Sequence, residues 1–325
     1  MRVVVFGAGA IGSLLGGRLA RAGHSVLLVT RSDQASRIRS DGLQVEGLTT
    51  GTFRPEVATE LPAETRADIV LLTVKSRSVR SAGRAIGTSV RPPAPVVALQ
   101  NGLAIEPELL LGLTDGGWPS PERWIVRGIN SYGATLAAPG RVVHAGDGEI
   151  LLPVADGNAP SGSVDRVEQL LKEGGFSVRR VENLAKELWR KAIVNAAINP
   201  VTADHGVRNG ELLRDPWREQ AERLLHEGEL AARSEGIEFA DRELELDLWR
   251  VVRATAENRS SMLQDLDRGR PTEVDQISGA ILAAAQRHGL DLPWTRRAID
   301  RIHRRETEAD AIDRWSDEGG APQKA

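Results

Sequence analysis

The sequence predicts an α/β chain in two parts: an open parallel α/β domain followed by a mostly α-helical domain. Three observations carry that prediction. A buried β-branched run, Arg2-Val3-Val4-Val5-Phe6, leads straight into a glycine cluster. A helical pattern and a second apolar run follow within about 30 residues, the usual length of a strand–helix–strand unit. After about residue 182, long helical patterns replace the strand patterns.

Taken in order, residues 2–6 read as a strand buried on both faces of a parallel sheet, because the apolar run is continuous rather than alternating. Leu14, Leu15 and Leu19 recur at helical spacing over residues 12–22, and Gly23-His24 stops that helix. Ser25-Val26-Leu27-Leu28-Val29-Thr30 is the second strand. Further buried strands are expected at 69–74 and 96–99, and strands alternating with helices argue an open parallel sheet. Residues 114–123 are dense in Gly and Pro and read as a surface loop. Strand-like runs at 124–129 and 141–144, a short amphipathic helix at 164–172 and an edge strand at 176–181 close the first part. The second part reads as helices over 183–199, 217–234, 244–258, 272–288 and 294–314, punctuated by Gly236, Gly289 and Pro293. The expected domains are 1–182 and 183–316, with a polar tail at 317–325 expected to be disordered.

Composition bounds the function. At about 150 residues per domain, 325 residues suggest two domains. Hydrophobic residues at 41% and charged residues at 27% are ordinary globular usage, so a core of normal size can form. A net charge of -3, with arginines interspersed among acids, lacks the basic footprint of a nucleic-acid binder. The absence of cysteine removes disulfides, thiolate catalysis and cysteine metal sites. His24, His144, His205, His226, His288 and His303 show no close ligand spacing, so no metal is expected. No apolar run approaches the ~20 residues of a membrane span, and no signal-peptide layout precedes residue 2. The expectation is a cytoplasmic protein that binds neither nucleic acid nor membrane.

Gly7-Ala8-Gly9-Ala10-Ile11-Gly12 is G-x-G-x-x-G between a buried strand and a helix, the context that makes it a dinucleotide fingerprint and the domain Rossmann-type. Gly7 permits the tight turn, Gly9 lets backbone approach a pyrophosphate, and Gly12 lets helix pack on strand. The helix N-terminus supplies N–H groups for phosphate. Where an NAD-type fold carries Asp or Glu, this chain has Arg31, whose guanidinium suits a 2′-phosphate and favours NADP. Lys75 could add a second cation. A solvated arginine is the bland alternative, and Asp33 leaves room for NAD. Asn101, in Leu99-Gln100-Asn101-Gly102 beyond a strand end, is placed to touch cofactor or substrate; an Asn-Gly turn alone is as good a reading.

In the helical part, Lys191, Asn195 and Asn199 recur at i, i+4 and i+8 and share one helix face. Ala192, Ile193, Val194, Ala196, Ala197 and Ile198 around them are apolar, so the helix is expected to be buried. A lysine and two amides there need partners, and a ligand with a carbonyl and a carboxylate would serve. A polar network joining the domains is the structural alternative. A partly buried lysine is also a suitable proton donor. Asn258-Arg259-Ser260-Ser261-Met262-Leu263-Gln264-Asp265 reads as a helix end and loop whose Ser and Asn could hold a carboxylate. Thr272-Glu273-Val274-Asp275 reads locally as a helix cap.

Together these residues resemble the ketopantoate reductase (2-dehydropantoate 2-reductase) family over about residues 1–305. The marks are the Gly7 to Gly12 loop, Gln100-Asn101-Gly102, the Lys191-Asn195-Asn199-Pro200 helix, the Ser260-Ser261-Met262 stretch and Thr272-Glu273-Val274-Asp275. The resemblance implies Lys191 as proton donor, with Asn195, Asn199, Asn209 and Ser261 on substrate and Asn258 beside them. It implies Lys75, Asn101, Glu273 and the basic Arg31 on the nucleotide, and so NADP(H) as cofactor. The implied reaction is reduction of ketopantoate at C2, a step toward coenzyme A, with the site expected between the domains. The stretch near Trp118 looks like an insertion. A small 2-oxo acid is the expected partner, and a homodimer is left open. Competing readings are a relative acting on another branched 2-oxo acid, a nucleotide-binding sensor without turnover, and a β-hydroxyacid dehydrogenase, against which Ser260-Ser261-Met262 tilts.

Overall fold

The structure, a computed structural model, describes residues 1–317, and the side chains of residues 1–308. It forms two compact units, one from Met1 to Leu184 and the other starting at Ala185.

The first unit is built on strands β1 (Arg2–Phe6) and β2 (Ser25–Val29) joined by helix α1 (Ala10–Arg21), followed by α2 (Ser32–Asp41), β3 (Leu43–Gly47), β4 (Gly51–Phe53), β5 (Glu56–Ala58) and β6 (Ile69–Leu72). Then come α3 (Val79–Ser89), β7 (Val96–Ala98), α4 (Ile105–Asp115), β8 (Ile125–Arg127), β9 (Ile129–Asn130), β10 (Gly133–Ala138), β11 (Arg141–Gly146), β12 (Ile150–Pro153), α5 (Ser163–Glu173) and β13 (Val178–Val181).

Six strands form one parallel sheet in the order β5-β2-β1-β6-β7-β8. Val4 faces Leu27 of β2 on one side and Val70 of β6 on the other. Alternate side chains enter different cores. Val3 and Val5 pack with Leu14, Leu15 and Leu19 of α1, whereas Val4 packs with Ile86 of α3 and Leu109 of α4. Both faces are therefore covered, which is why the strand reads as an unbroken apolar run. The strand order reverses direction between β1 and β6, and ligands of open α/β sheets bind beyond the strand ends at such a switch point.

The sequence reading placed β11 and β13 but missed β3, β4, β10 and β12, and with them the two smaller sheets, β10-β11-β3-β4 and β13-β12-β9. Their strands run two to six residues, and β3, β4, β10 and β11 each carry a glycine, so little periodicity was available to detect them. The expected surface loop at 114–123 shortens to residues 116–120, mostly exposed but pinned by a buried indole. Residues 114–115 close α4, and Trp118 is 3% exposed, stacks edge-on against Trp124 at 6.2 Å and donates from Nε1 to the Val90 carbonyl at 3.3 Å. The buried indole overrides the Gly/Pro signal around it.

The second unit is helical: α6 (Leu184–His205), α7 (Trp217–Ser234), α8 (Glu243–Ala254), α9 (Ser261–Leu266), α10 (Ala280–Arg287) and α11 (Pro293–Asp317), with a 3-10 turn at Asn209–Leu213 and a π turn at Asp275–Gly279. Three expectations shift. Helix α6 does not stop before Pro200 but runs five residues past it. An interior proline costs about 3 kcal/mol, and here Pro200, Val201 and Ala203 are buried, so packing outweighs it. The 258–265 stretch is not an extended loop, since Ser260 caps α9 by accepting from Leu263 N at 3.2 Å. The 272–288 helix divides into the π turn and α10. Buried Glu227 on α7 anchors the start of α11, accepting from the backbone N–H groups of Trp294 and Thr295 at 2.9 and 2.7 Å. Asp317 closes α11, and the rest of the tail expected to be disordered lies outside the described residues.

Candidate functional site

In the first unit the glycine loop lies where β1 ends. Gly7 and Ala8 N–H groups both donate to the Val29 carbonyl, at 2.9 and 3.2 Å, and Thr73 Oγ1 donates to the Gly7 carbonyl at 2.7 Å. The loop is thus pinned to the ends of β2 and β6. Gly7 has φ +108°, which a side chain would strain. A Cβ on Gly12 would sit 2.0 Å from the Gly7 carbonyl oxygen, so that contact exists only without a side chain. At Gly9 a Cβ would meet nothing within 4 Å, and this exposed residue precedes the first N–H groups of α1. A tight turn, an open approach at Gly9 and a helix start are what a dinucleotide pyrophosphate needs, so the residues present fit that group. Ala8 is buried and Ala10 and Ile11 half-buried.

Arg31 occupies the position just before α2, beyond β2, without a side-chain cap bond; it is exposed, with Asp33 3.9 Å away. Lys75 is exposed and opens the turn after β6. Asn101 lies beyond β7, half-buried, its carbonyl accepting from Ser76 Oγ at 3.1 Å. The structure therefore gathers Gly7 to Gly12, Arg31, Lys75 and Asn101 along the carboxyl ends of neighbouring strands. Behind Asn101 is a residue the sequence reading missed. Arg127, at the end of β8, is buried, and burial pushes its guanidinium down to about 10, still charged at neutral pH. A lone Arg inside a strand-like run gave no signal of its role.

In the second unit Lys191, Asn195 and Asn199 lie on one face of α6. Lys191 and Asn195 are half-buried and Asn199 is buried, so the lysine is less enclosed than the apolar flanks suggested. Thr202, one turn beyond Asn199, donates from Oγ1 to Ser260 Oγ at 2.8 Å, with the Asn199 carbonyl 3.1 Å from the same oxygen. That bond ties α6 to the 258–261 segment. Asn209 N donates to the Asn258 carbonyl at 3.0 Å and Asn209 Nδ2 to Thr255 Oγ1 at 2.9 Å. Asn209 Oδ1 is buried and finds no partner among the described residues. Asn258 and Ser261 are exposed; Ser261 is free of the capping role that Ser260 takes. Glu273 also belongs to this unit, half-buried, its carbonyl accepting from Ile277 N at 3.1 Å as the π turn opens. Beside it Thr272 Oγ1 accepts from Val274 N at 3.2 Å.

Arg190, next to Lys191, is held by Glu187, Glu243 and Asp247, and Glu243 also accepts from Lys186 at 3.3 Å. Burial alone would raise the Glu243 carboxyl; the Ala240 N–H, Arg190 and Lys186 outweigh it and hold it down at about 2. Among the described residues no cluster of His and acids could hold a metal, and no helix is long and apolar enough to cross a membrane.

Known proteins match the chain over most of its length. Residues 3–157 match the family model described as ketopantoate reductase PanE/ApbA, and residues 183–306 match that of its C-terminal part. The chain is 36% identical over 303 residues to a 2-dehydropantoate 2-reductase of Archaeoglobus fulgidus, covering 93% of this chain and 96% of the relative. It is 36% identical over 307 residues to a 2-dehydropantoate 2-reductase of Halobacterium salinarum, covering 93% and 98%. Among solved structures, a PanE/ApbA family ketopantoate reductase from Ralstonia eutropha superposes with a TM-score of 0.85 at 28% identity, covering 95% of this chain and all of that one. A D-mandelate dehydrogenase solved with NADH and anilino(oxo)acetate shares the fold, with a TM-score of 0.87 at 23% identity and coverage of 95% and 99%. With its glycine loop, its lysine–asparagine helix and both family models matched in sequence order, the chain belongs to the ketopantoate reductase family of oxidoreductases.

Proposed function

We propose that this protein reduces 2-dehydropantoate to pantoate with NADPH, using Lys191 as proton donor. The observation that carries the reading is the single polar face Lys191-Asn195-Asn199 on α6, tied through Thr202 to the Ser260-Ser261 segment. The cofactor is a nicotinamide dinucleotide, and exposed Arg31 beyond β2 favours the form with a 2′-phosphate. Lys75, Asn101 and Glu273 complete its contacts.

When bound, the reduced nicotinamide supplies the hydride that C2 of the substrate receives. The chain's residues do the rest. Lys191 Nζ gives its proton to the C2 oxygen, neutralising the negative charge that develops there. Asn195 and Asn199, one and two turns along, orient the substrate. Asn209 contacts the substrate, and Ser261 Oγ donates to its carboxylate, with Asn258 alongside.

The test is steady-state oxidation of NADPH with a panel of branched 2-oxo acids. Ketopantoate is expected to give the highest kcat/KM. A higher value for another 2-oxo acid would keep the chemistry and replace the substrate. NADPH binding without turnover of any panel member would make the protein a sensor.

A further inference from the structure

We infer that Arg127 is a positioning residue, whose guanidinium shapes the turn of residues 99–102 so that Asn101 meets the bound ligand. The inference rests on the role proposed for Asn101.

Ala98 and Arg127 are ladder partners at the ends of β7 and β8. The Ala98 carbonyl still accepts from Gly128 N at 3.0 Å, and beyond it the chain leaves the sheet, so the carbonyls of the turn lie outside the ladder. Arg127 collects them. Nη1 donates to the carbonyls of Ala98 at 2.6 Å and Gly128 at 2.8 Å. Nη2 donates to those of Gln100 at 2.7 Å and Gly102 at 3.1 Å. Ser76 Oγ takes the Asn101 carbonyl between them, and Gln100 Nε2 donates to the Leu72 carbonyl of β6 at 2.9 Å. Each carbonyl from Gln100 to Gly102 is thereby held by a side chain, and Asn101 is left half-buried at the edge of the turn.

The choice of residue is informative. Arg127 is 6% exposed, and all four of its hydrogen bonds go to backbone carbonyls rather than to a carboxylate. A buried cation solvated by neutral dipoles is an expensive way to hold two strands together, and an apolar residue of similar volume often does that as well. What the apolar residue lacks is the fixed planar fork that specifies the curvature of the turn. A misplacement of about 1 Å in a positioning group lowers rates by on the order of a hundredfold.

The experiment compares Arg127→Met, Arg127→Lys, Asn101→Ala and the double variant Arg127→Met/Asn101→Ala in the full chain. It measures kcat, KM for ketopantoate, NADPH affinity by fluorescence quenching, and melting temperature. Asn101→Ala is expected to lower kcat/KM by roughly 10- to 100-fold at unchanged melting temperature. Arg127→Met should lower it by a similar factor. The double variant should fall no further than about threefold below Arg127→Met, because both changes remove one function. Arg127→Lys, which keeps the charge without the fork, should rescue less than half of the loss on a logarithmic scale. If Arg127→Met does not fold, Arg127→Lys takes its place in the cycle with Asn101→Ala. Wild-type kcat/KM in a folded Arg127 variant, or factors that multiply in the double variant, would overturn the positioning role. Wild-type behaviour of Asn101→Ala would instead remove the Asn101 reading, and the role of Arg127 with it.

Discussion

The glycine loop of the first unit and the lysine helix of the second reach their chemistry by opposite routes. In the loop the groups proposed to bind are backbone N–H groups, and the side chains matter by being absent: Gly12 allows a carbonyl where a Cβ would sit 2.0 Å away, and a Cβ on Gly9 would meet nothing within 4 Å. On α6 the groups proposed to act are side chains on a buried scaffold, tied to other elements by bonds such as Thr202 to Ser260 and, nearby, Asn209 to Thr255. A backbone site can be disabled by adding one methyl group. A side-chain site can be disabled by removing one group, with the scaffold left standing.

The strongest break of that comparison is Lys191→Ala. Loss of a general acid lowers kcat by roughly 10²–10⁴-fold, while NADPH affinity and melting temperature should stay near wild type because the lysine is only half-buried. A parallel fall in stability and activity would make Lys191 a structural residue. Near-normal turnover in the folded variant would refute its role as acid.

Gly9→Ala makes the matching cut in the loop. The added methyl meets no protein atom within 4 Å, so stability should change by less than about 0.5 kcal/mol. Dinucleotide affinity should nonetheless fall at least about tenfold, because the methyl stands where the pyrophosphate approaches backbone. Unchanged affinity would show that the open face at Gly9 is not the phosphate site.

The two regions also differ in how far they could be read from sequence. The loop is local: strand, glycines and helix lie within twenty residues, and β1 was placed to the residue. The periodicity of Lys191, Asn195 and Asn199 was equally visible. What surrounds them was not, because it depends on tertiary packing. Proline ends a helix by local rule, yet buried Pro200 sits inside α6. Ser260 and Ser261 look equivalent in a row, but the fold makes one a cap and leaves the other exposed. Arg127 was unreadable for the same reason, since three of its four acceptors lie 25–29 positions away.

Cofactor choice sharpens the first region further. Arg31→Ala should weaken NADPH by about ten- to a hundredfold, the value of a charge-assisted pair of roughly 1.5–3 kcal/mol, and leave NADH almost unchanged. Equal weakening of both cofactors would remove Arg31 from the 2′-phosphate.

The smallest effect separates the regions by pH. The loop is held by backbone bonds and the neutral Thr73 hydroxyl, none of which titrates, whereas the start of α6 is held by the ion cluster of Arg190 and Lys186 with Glu187, Glu243 and Asp247. Glu243 has its folded value held down at about 2, against 4.5 for the free group. A depressed carboxyl contributes stability that is fully present above its unfolded value and is lost as pH falls through its folded value. The contribution should therefore stand at neutral pH and fade between about pH 4.5 and 2. Its size is on the order of 1–2 kcal/mol once solvent screening of this partly exposed cluster is discounted. Glu243→Gln removes the titration and the charge together. The variant should melt a few degrees below wild type at pH 7, and the two curves should converge as pH approaches 2. NADPH affinity at pH 7 should be equal in both. A gap that persists at low pH would mean that Glu243 acts through packing or its bond to Ala240 rather than through charge, and the second region would then be as insensitive to pH as the first.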